Sequence, residues 1–212
     1  MSDDPVIEER ENGPLVAKNV SRLVGAEGQD IETKPVMALC RCGESQKKPF
    51  CDGTHNQIGF KSDAEDTTSR DKVFTYSGKE VTVHYNRLLC SHAAVCGEKL
   101  KAVFDSSRRP WIVPDNGSAE AIKDVVAACP SGALRYSDSA HPPEHISGSD
   151  VCITIQKDGP YQVTNVAIDG VRRADGACVD KFVLCRCGKS GNKPFCDGAH
   201  HDAQWRDEGS AE

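Results

Sequence analysis

Aromatic side chains are scarce in this chain of 212 residues: two Trp, four Tyr and six Phe, 6% of the total, within a hydrophobic share of 38%. Charged residues make up 27%. So little apolar surface argues against one large core and for small modules held by something besides packing. Basic residues are also in deficit, 26 Lys and Arg against 32 Asp and Glu, for a net charge of −6. With no basic stripe, nucleic acid is not an expected partner. A basic protein partner would suit the acidity, but a solvated surface accounts for it as simply. No apolar run approaches the roughly 18 residues of a membrane helix, so no membrane partner is expected. Residues 1–11 are acidic and lack the basic-then-apolar order of a secretion leader. Nor is there a Ser–His–Asp set, a phosphate loop or a flavin fingerprint, and a complete enzyme in this chain is not expected.

What the chain does have is cysteine, eleven residues and an odd count. Without a leader, cysteines at C-x-C spacing point to reduced thiolates and metal binding in a reducing, cytoplasmic compartment. The pattern C-x-C-x8-C-x3-H occurs twice, as Cys40, Cys42, Cys51 and His55 and again as Cys185, Cys187, Cys196 and His200. Ser, Pro, Asp and Gly recur at the same offsets. Two matched sets of four soft ligands read as two metal centres. The repeat reaches further back: Gly13, Pro14, Asn19 and Val20 match Gly159, Pro160, Asn165 and Val166, and an aromatic lies five residues past each His, Phe60 and Trp205. Such self-similarity marks a duplicated supersecondary unit. Short alternating runs broken by Asp-Gly and Gly-Pro turns predict small antiparallel strands. Each unit has little core of its own, so the two are expected to pack about a pseudo-twofold.

On an extended backbone residues two apart face the same side, so Cys40 and Cys42 converge, as do Cys185 and Cys187. Asp52-Gly53 and Asp197-Gly198 read as an N-cap and first turn, placing His55 and His200 at the start of short helices, where partial positive charge suits an anionic centre. Three thiolates and an imidazole fit a [2Fe–2S] core or a tetrahedral zinc ion, although zinc sites more often use C-x2–4-C knuckles. Ser45 and Ser190 are candidates to hydrogen-bond cluster sulfur, and Lys48 and Lys193 to screen its charge; as turn and surface residues they would do neither.

Between the repeats the composition changes. Alternation around Ser77-Gly78-Lys79 predicts a hairpin, and Ser118 is an N-cap for a helix at about 119–128 with Ile122, Val125 and Val126 on one face. Cys129-Pro130 ends it. Cys90, Cys96 and Cys129 are candidate ligands of a third centre, and Ala93 stands where a ferredoxin would place its second cysteine. His92 either completes the set or has a structural role. Cys152 and Cys178 lack partners at ligand spacing and read as buried thiols.

These residues carry two resemblances. Cys51-Asp52-Gly53-Thr54-His55 and Cys196-Asp197-Gly198-Ala199-His200, each preceded by C-x-C-x2-S-x3-P, resemble the CDGSH iron–sulfur family. The resemblance implies a [2Fe–2S] cluster on each set of three Cys and one His, in a β-rich pseudo-dimer. Residues 73–137, with C-x-H-x3-C, P-W-I-x-P and C-P-S-G-A-L, resemble a divergent monocluster ferredoxin family. That implies a cubane-type cluster on Cys90, Cys96 and Cys129: [3Fe–4S] with three ligands, or [4Fe–4S] if His92 adds a fourth.

The expected architecture is α+β in small β-rich modules. A first CDGSH-type unit spans 1–61, a linker 62–72, the ferredoxin-like module 73–140, a second linker 141–150, the second CDGSH-type unit 151–206 and a frayed tail 207–212. The expected function is one-electron transfer to a redox partner protein. Its rivals are cluster storage, delivery to an apo-protein acceptor or redox sensing, and a zinc-stapled interaction module. Two CDGSH-type units permit a monomer that pairs internally or a homodimer. One imidazole per cluster places the potential between all-Cys clusters, at about −400 mV, and two-His centres, at roughly −150 to +300 mV. Because imidazole protonates, potential and cluster retention are expected to depend on pH.

Overall fold

The computed structural model describes residues 4–211; the first three residues of the expected first unit and the last of the expected tail lie outside the described residues. The first repeat holds β1 (Val6–Glu9), β2 (Leu15–Lys18), β3 (Leu23–Val24), β4 (Asp30–Ile31), β5 (Val36–Leu39) and α1 (Thr54–Gln57). The middle segment holds β6 (Val73–Ser77), β7 (Thr82–Asn86), α2 (Val95–Lys99), α3 (Ala119–Ala128) and β8 (Leu134–Ser137). The second repeat holds β9 (Cys152–Ile155), β10 (Tyr161–Thr164), β11 (Ala167–Asp169), β12 (Lys181–Leu184) and α4 (Ala199–Asp202). Matching turns use matching residues: Asn12 and Asp158, and Asn19 and Asn165, all take φ between 50° and 55°. Asn and Asp tolerate that left-handed conformation better than other side chains, which explains why the repeat keeps them.

The two repeats exchange strands. One sheet runs β11-β1-β2-β5 and the other β12-β10-β9-β3-β4, so each sheet takes one or two strands from the opposite repeat. Within a repeat the pairing is antiparallel, as expected, but both exchanged pairs are parallel: Ile7 lies opposite Ile168, and Leu23 opposite Ile153. The expectation of antiparallel strands throughout is corrected here. Strands brought from separate repeats need no tight turn to join them, so nothing imposes antiparallel order. A single core results, with Ile7, Leu15, Leu23 and Leu39 packed with Ile153, Val163, Ile168 and Leu184. The pairing lies within one chain, about a pseudo-twofold that passes beside the Cys42–Cys187 β-bridge. Gly43 and Gly188 flank that bridge with φ of 88° and 75°. A methyl on Gly43 would sit 2.7 Å from the Cys187 carbonyl oxygen, and one on Gly188 2.5 Å from that of Cys42.

The middle segment forms an antiparallel β6-β7-β8 sheet covered by α3. Helix α3 covers the span expected, and Ser118 Oγ accepts from the Ala121 amide at 3.2 Å. This module docks on the second repeat. Lys181 Nζ, on β12, donates to the carbonyls of Val126 (3.1 Å), Ala127 (2.9 Å) and Ile146 (2.7 Å), and the first two satisfy the last turn of α3. Asn192 Nδ2 donates to the Leu88 carbonyl at 3.2 Å. The first-repeat counterpart of Lys181 is Val36, which is 58% exposed. The repeat departs from its own pattern where the module lands on only one copy.

The tail expected to fray is partly fixed. Asp207 pairs with buried Arg186, and the Gly209 carbonyl accepts from Ala26 N at 2.9 Å. A buried guanidinium needs a carboxylate, and the tail supplies it. The segments 62–72 and 141–150 are also tied down. Ser62 exchanges two hydrogen bonds with Asn12, and His145 bridges the Leu134 and Gly176 carbonyls.

The close approach at the pseudo-twofold sets a prediction. Gly170 has φ of 71° but open space around it. Gly188→Ala should therefore cost about 1–3 kcal/mol more than Gly170→Ala, because it adds a clash to a similar backbone strain. The urea midpoints of the iron-loaded variants measure the difference.

Candidate metal centres

Each ligand set is built by folding a loop back onto the strand before it. Leu39, the last residue of β5, bridges Phe50; Cys40 N donates to the Pro49 carbonyl and Cys51 N to the Ala38 carbonyl, both at 2.8 Å. This brings Cys51 beside the extended Cys40-Arg41-Cys42 segment. Gly53, at φ 91°, then turns the chain into α1 and presents His55. The second repeat repeats the construction with Leu184 and Phe195, and Gly198 at φ 90° before α4.

The ligands arrive in pairs. Cys40 Sγ and Cys42 Sγ are 3.7 Å apart, and Cys185 Sγ and Cys187 Sγ 3.8 Å. Cys51 Sγ lies 3.3 Å from His55 Nδ1, and Cys196 Sγ 3.4 Å from His200 Nδ1. Two thiolates at about 2.3 Å on one tetrahedral metal are about 3.8 Å apart, and a thiolate with an imidazole nitrogen about 3.6 Å. Both kinds of pair therefore fit an edge of a metal tetrahedron, the second slightly tight. Among the described residues no group of three or more His, Cys, Asp or Glu is gathered round a single-ion point. None of the eleven cysteines forms a disulfide.

The thiols of each C-x-C pair share a hydrogen bond, which splits their titration: Cys40 and Cys185 fall while Cys42 and Cys187 rise. Backbone amides at the following turns also favour the Cys40 and Cys185 thiolates. Burial raises Cys51 and Cys196. Burial, then neighbouring His201, pushes His200 down to about 4, leaving its ring neutral and free to ligate.

Several expected roles change. Ser45 Oγ donates to the Phe50 carbonyl at 2.7 Å, and Ser190 Oγ to that of Phe195 at 2.7 Å. Lys48 Nζ and Lys193 Nζ donate to the carbonyls of Ser45 and Ser190. All four close the ligand loop, whose buried carbonyls need donors. The N-cap position belongs to Gly53 and Gly198, not to the aspartates before them. Asp52 and Asp197 instead accept from an amide on each side of the loop, those of Gln46 and Thr54 in one and of Gly191 and Ala199 in the other. Those bonds hold the Asp52 carboxyl well below its usual range.

The residue between the first two cysteines was missed from sequence. Arg41 is 1% exposed and Arg186 2%. Arg41 donates to the carbonyls of Gly13 (2.7 Å) and Arg10 (2.6 Å), pairs with Glu9 and lies over the Phe60 ring. Arg186 donates to those of Gln156 and Gly159, pairs with Asp207 and lies between the Tyr161 and Trp205 rings. These guanidiniums clamp the strand turn behind each C-x-C. The recurring aromatic is a lid on the arginine. Arg in both copies, with an aromatic five past both histidines, was the available signal.

In the middle module Cys90, Cys96 and Cys129 pack into one core with Tyr85 and Trp111. Burial and then the charges of Cys90 and Cys129 raise Cys96 to about 11, so the three thiols lie within mutual range. A cavity of about 440 Å3 opens over Cys90, His92 and Cys96, walled by Tyr85, Phe104 and Trp111. Cys129 is the buried member. The His92 amide donates to Cys90 Sγ at 3.4 Å. Cys152 and Cys178 are buried, as expected.

Residues 12–56 and 158–201 both match the iron-binding zinc finger of CDGSH type, and residues 76–139 match the divergent 4Fe-4S mono-cluster domain. Two relatives, each the uncharacterized protein YjdI, from Escherichia coli strain K12 and Escherichia coli O157:H7, are 36% identical over 61 residues, 29% of this chain and 80% of theirs. The chain belongs to the CDGSH-type iron-binding family, with a divergent 4Fe-4S mono-cluster domain set between its two repeats. No solved structure matches it. It is an iron–sulfur protein of α+β architecture in which small β-rich units flank the central domain. No helix among the described residues is long and apolar enough to cross a membrane.

The two CDGSH sites differ in exposure. His200 is 4% exposed and Cys196 is buried, whereas His55 and Cys51 are both half-buried. An iron chelator at neutral pH should therefore strip the first site before the second, checked by absorbance in His55→Ala and His200→Ala single variants. Arg186→Ala should destabilise the protein by about 2–4 kcal/mol, since it orphans buried carbonyls and Asp207. Arg206→Ala, at an exposed position, should change stability by no more than about 0.5 kcal/mol in the same unfolding assay.

Proposed function

We propose that this protein is a one-electron carrier holding two [2Fe–2S] clusters and one cubane-type cluster, and that it works with a redox partner protein rather than as a complete enzyme. The first [2Fe–2S] seat is Cys40, Cys42, Cys51 and His55; the second is Cys185, Cys187, Cys196 and His200. Cys90, Cys96 and Cys129 hold the third cluster, read as [3Fe–4S], with [4Fe–4S] the alternative. The observation that carries this reading is the arrival of the CDGSH ligands as one Cys–Cys and one Cys–His pair, each a metal-tetrahedron edge, with no three gathered round one ion among the described residues. That arrangement suits two irons better than one zinc ion.

Iron–sulfur clusters supply reversible one-electron storage when bound. The chain's own residues keep the seats rigid. Arg41 and Arg186 lock the strands that carry two thiols each, while Asp52 and Asp197 tie the loop to the helix that carries the histidine. Rigid seats favour electron exchange because little needs to reorganise when charge changes. The half-buried His55 and Cys51 favour a second reading, in which the first site gives up its cluster to an apo-protein acceptor.

Iron and sulfide analysis with EPR of oxidised and reduced protein tests the cofactors. About seven irons per chain fit two [2Fe–2S] and one [3Fe–4S], about eight fit a [4Fe–4S], and about four leave the middle cysteines empty. A colourless protein with stoichiometric zinc would sink the iron–sulfur reading. Reversible cycling with the clusters retained, in the presence of an apo-ferredoxin, is the outcome expected of a carrier. Rapid loss to the acceptor that His55→Cys abolishes would replace it with delivery.

A further inference from the structure

One side chain lies between the middle candidate centre and the second CDGSH site. His92 follows Cys90 by two residues, and its amide donates to Cys90 Sγ at 3.4 Å. Its backbone therefore faces that thiol. The residue sits at φ 59°, a left-handed conformation uncommon outside glycine, and Ala94 shares it at 59°. The imidazole reaches the second CDGSH unit. A methyl on Gly198 would lie 2.7 Å from His92 Cδ2, 3.2 Å from Cγ and 3.3 Å from Cβ. The imidazole thus lies directly over Gly198. The Gly198 amide in turn donates to Cys196 Sγ at 3.4 Å.

The first repeat supplies an internal comparison. Gly53 holds the equivalent place with the same conformation, φ 91° against 90°, and nothing lies within 4 Å of a methyl built there. Backbone geometry alone explains the glycine in both copies, but only Gly198 is covered. The module is pinned in this position from two further sides, by Lys181 on the end of α3 and by Asn192 on Leu88.

We infer that His92 is the junction joining the middle cluster to the second CDGSH cluster, so that these two exchange electrons directly. This rests on the iron–sulfur carrier reading above. The path runs from Cys90 Sγ through the hydrogen bond to the His92 amide, along its side chain to Gly198, and through the Gly198 amide to Cys196 Sγ. One electron leaves one cluster as the other gains it; no bond is made or broken and no proton moves. His92 acts here as a positioning residue. Its ring lies between the two ligand segments and is not spent as a ligand.

The test uses the full chain loaded with iron and sulfide, reduced with less than one equivalent of photogenerated methyl viologen radical and followed by absorbance. Wild-type protein should show a redistribution phase whose rate does not depend on protein concentration. Absence of that phase in wild type would overturn the carrier reading itself. With the phase present, His92→Ala should slow it at least several-fold with iron content and the middle cluster's EPR signal unchanged. His92→Phe, which keeps a packed ring but cannot ligate, should retain most of the rate. Gly198→Ala should slow the phase, whereas Gly53→Ala, with equal backbone strain and no ring to displace, should leave it intact. Loss of iron or of the middle EPR signal in both His92 variants would make His92 a ligand and overturn the inference. An unchanged rate in His92→Ala, or equal effects of the two glycine variants, would overturn it as well.

Discussion

Everything in this molecule depends on the exchange of β11 and of the β3–β4 pair between the two repeats. A repeat on its own offers strands of two to four residues and too few large apolar side chains to exclude water. Pairing Ile7 with Ile168 and Leu23 with Ile153 lets both repeats complete their sheets with the other's strand and merge their apolar faces. The ligand loops hang directly on this arrangement. Leu39 and Leu184 are core residues, and Cys40 and Cys185 follow them without an intervening residue. The position of the first two thiols is thus inherited from a core that neither repeat could form alone.

Symmetry in the core sets off the asymmetry outside it. The middle domain rests on the second repeat only, and its buried lysine, asparagine contact and imidazole contact have no counterparts around the first. A charged group such as Lys181 is costly to bury unless its hydrogens are satisfied, and three carbonyls do this, two at the end of α3 and that of Ile146. One CDGSH site thereby becomes an inner site, and the other keeps its histidine half open to solvent.

The ligands were readable from sequence because metal chemistry demands fixed residue types at fixed spacing, and duplication doubled the signal. Helix α3 was readable because a Ser N-cap, a 3.6-residue apolar period and a terminal Cys-Pro all agreed. Strand exchange was not. Such short strands carry an alternation that says which face is buried but nothing about which strand lies alongside. The arginine clamps were hidden for a different reason. Arg41 takes its carboxylate from Glu9, far upstream, and Arg186 from Asp207, downstream, so the acidic partners break the repeat that would have revealed them. Ser45, Ser190, Lys48 and Lys193 look like cluster neighbours by offset alone. Only the closed loop shows that backbone carbonyls claim their donors first.

Placing both repeats on one chain has a consequence beyond asymmetry. In a dimer of separate subunits, partner strands are lost when the protein is diluted below its dissociation constant, and the shared core opens with them. Here the segment 62–150 tethers one repeat to the other, so their local concentration is set by the length of chain between them rather than by expression level. The exchanged strands, and the thiols seated on the core they complete, therefore stay together however rare the molecule is.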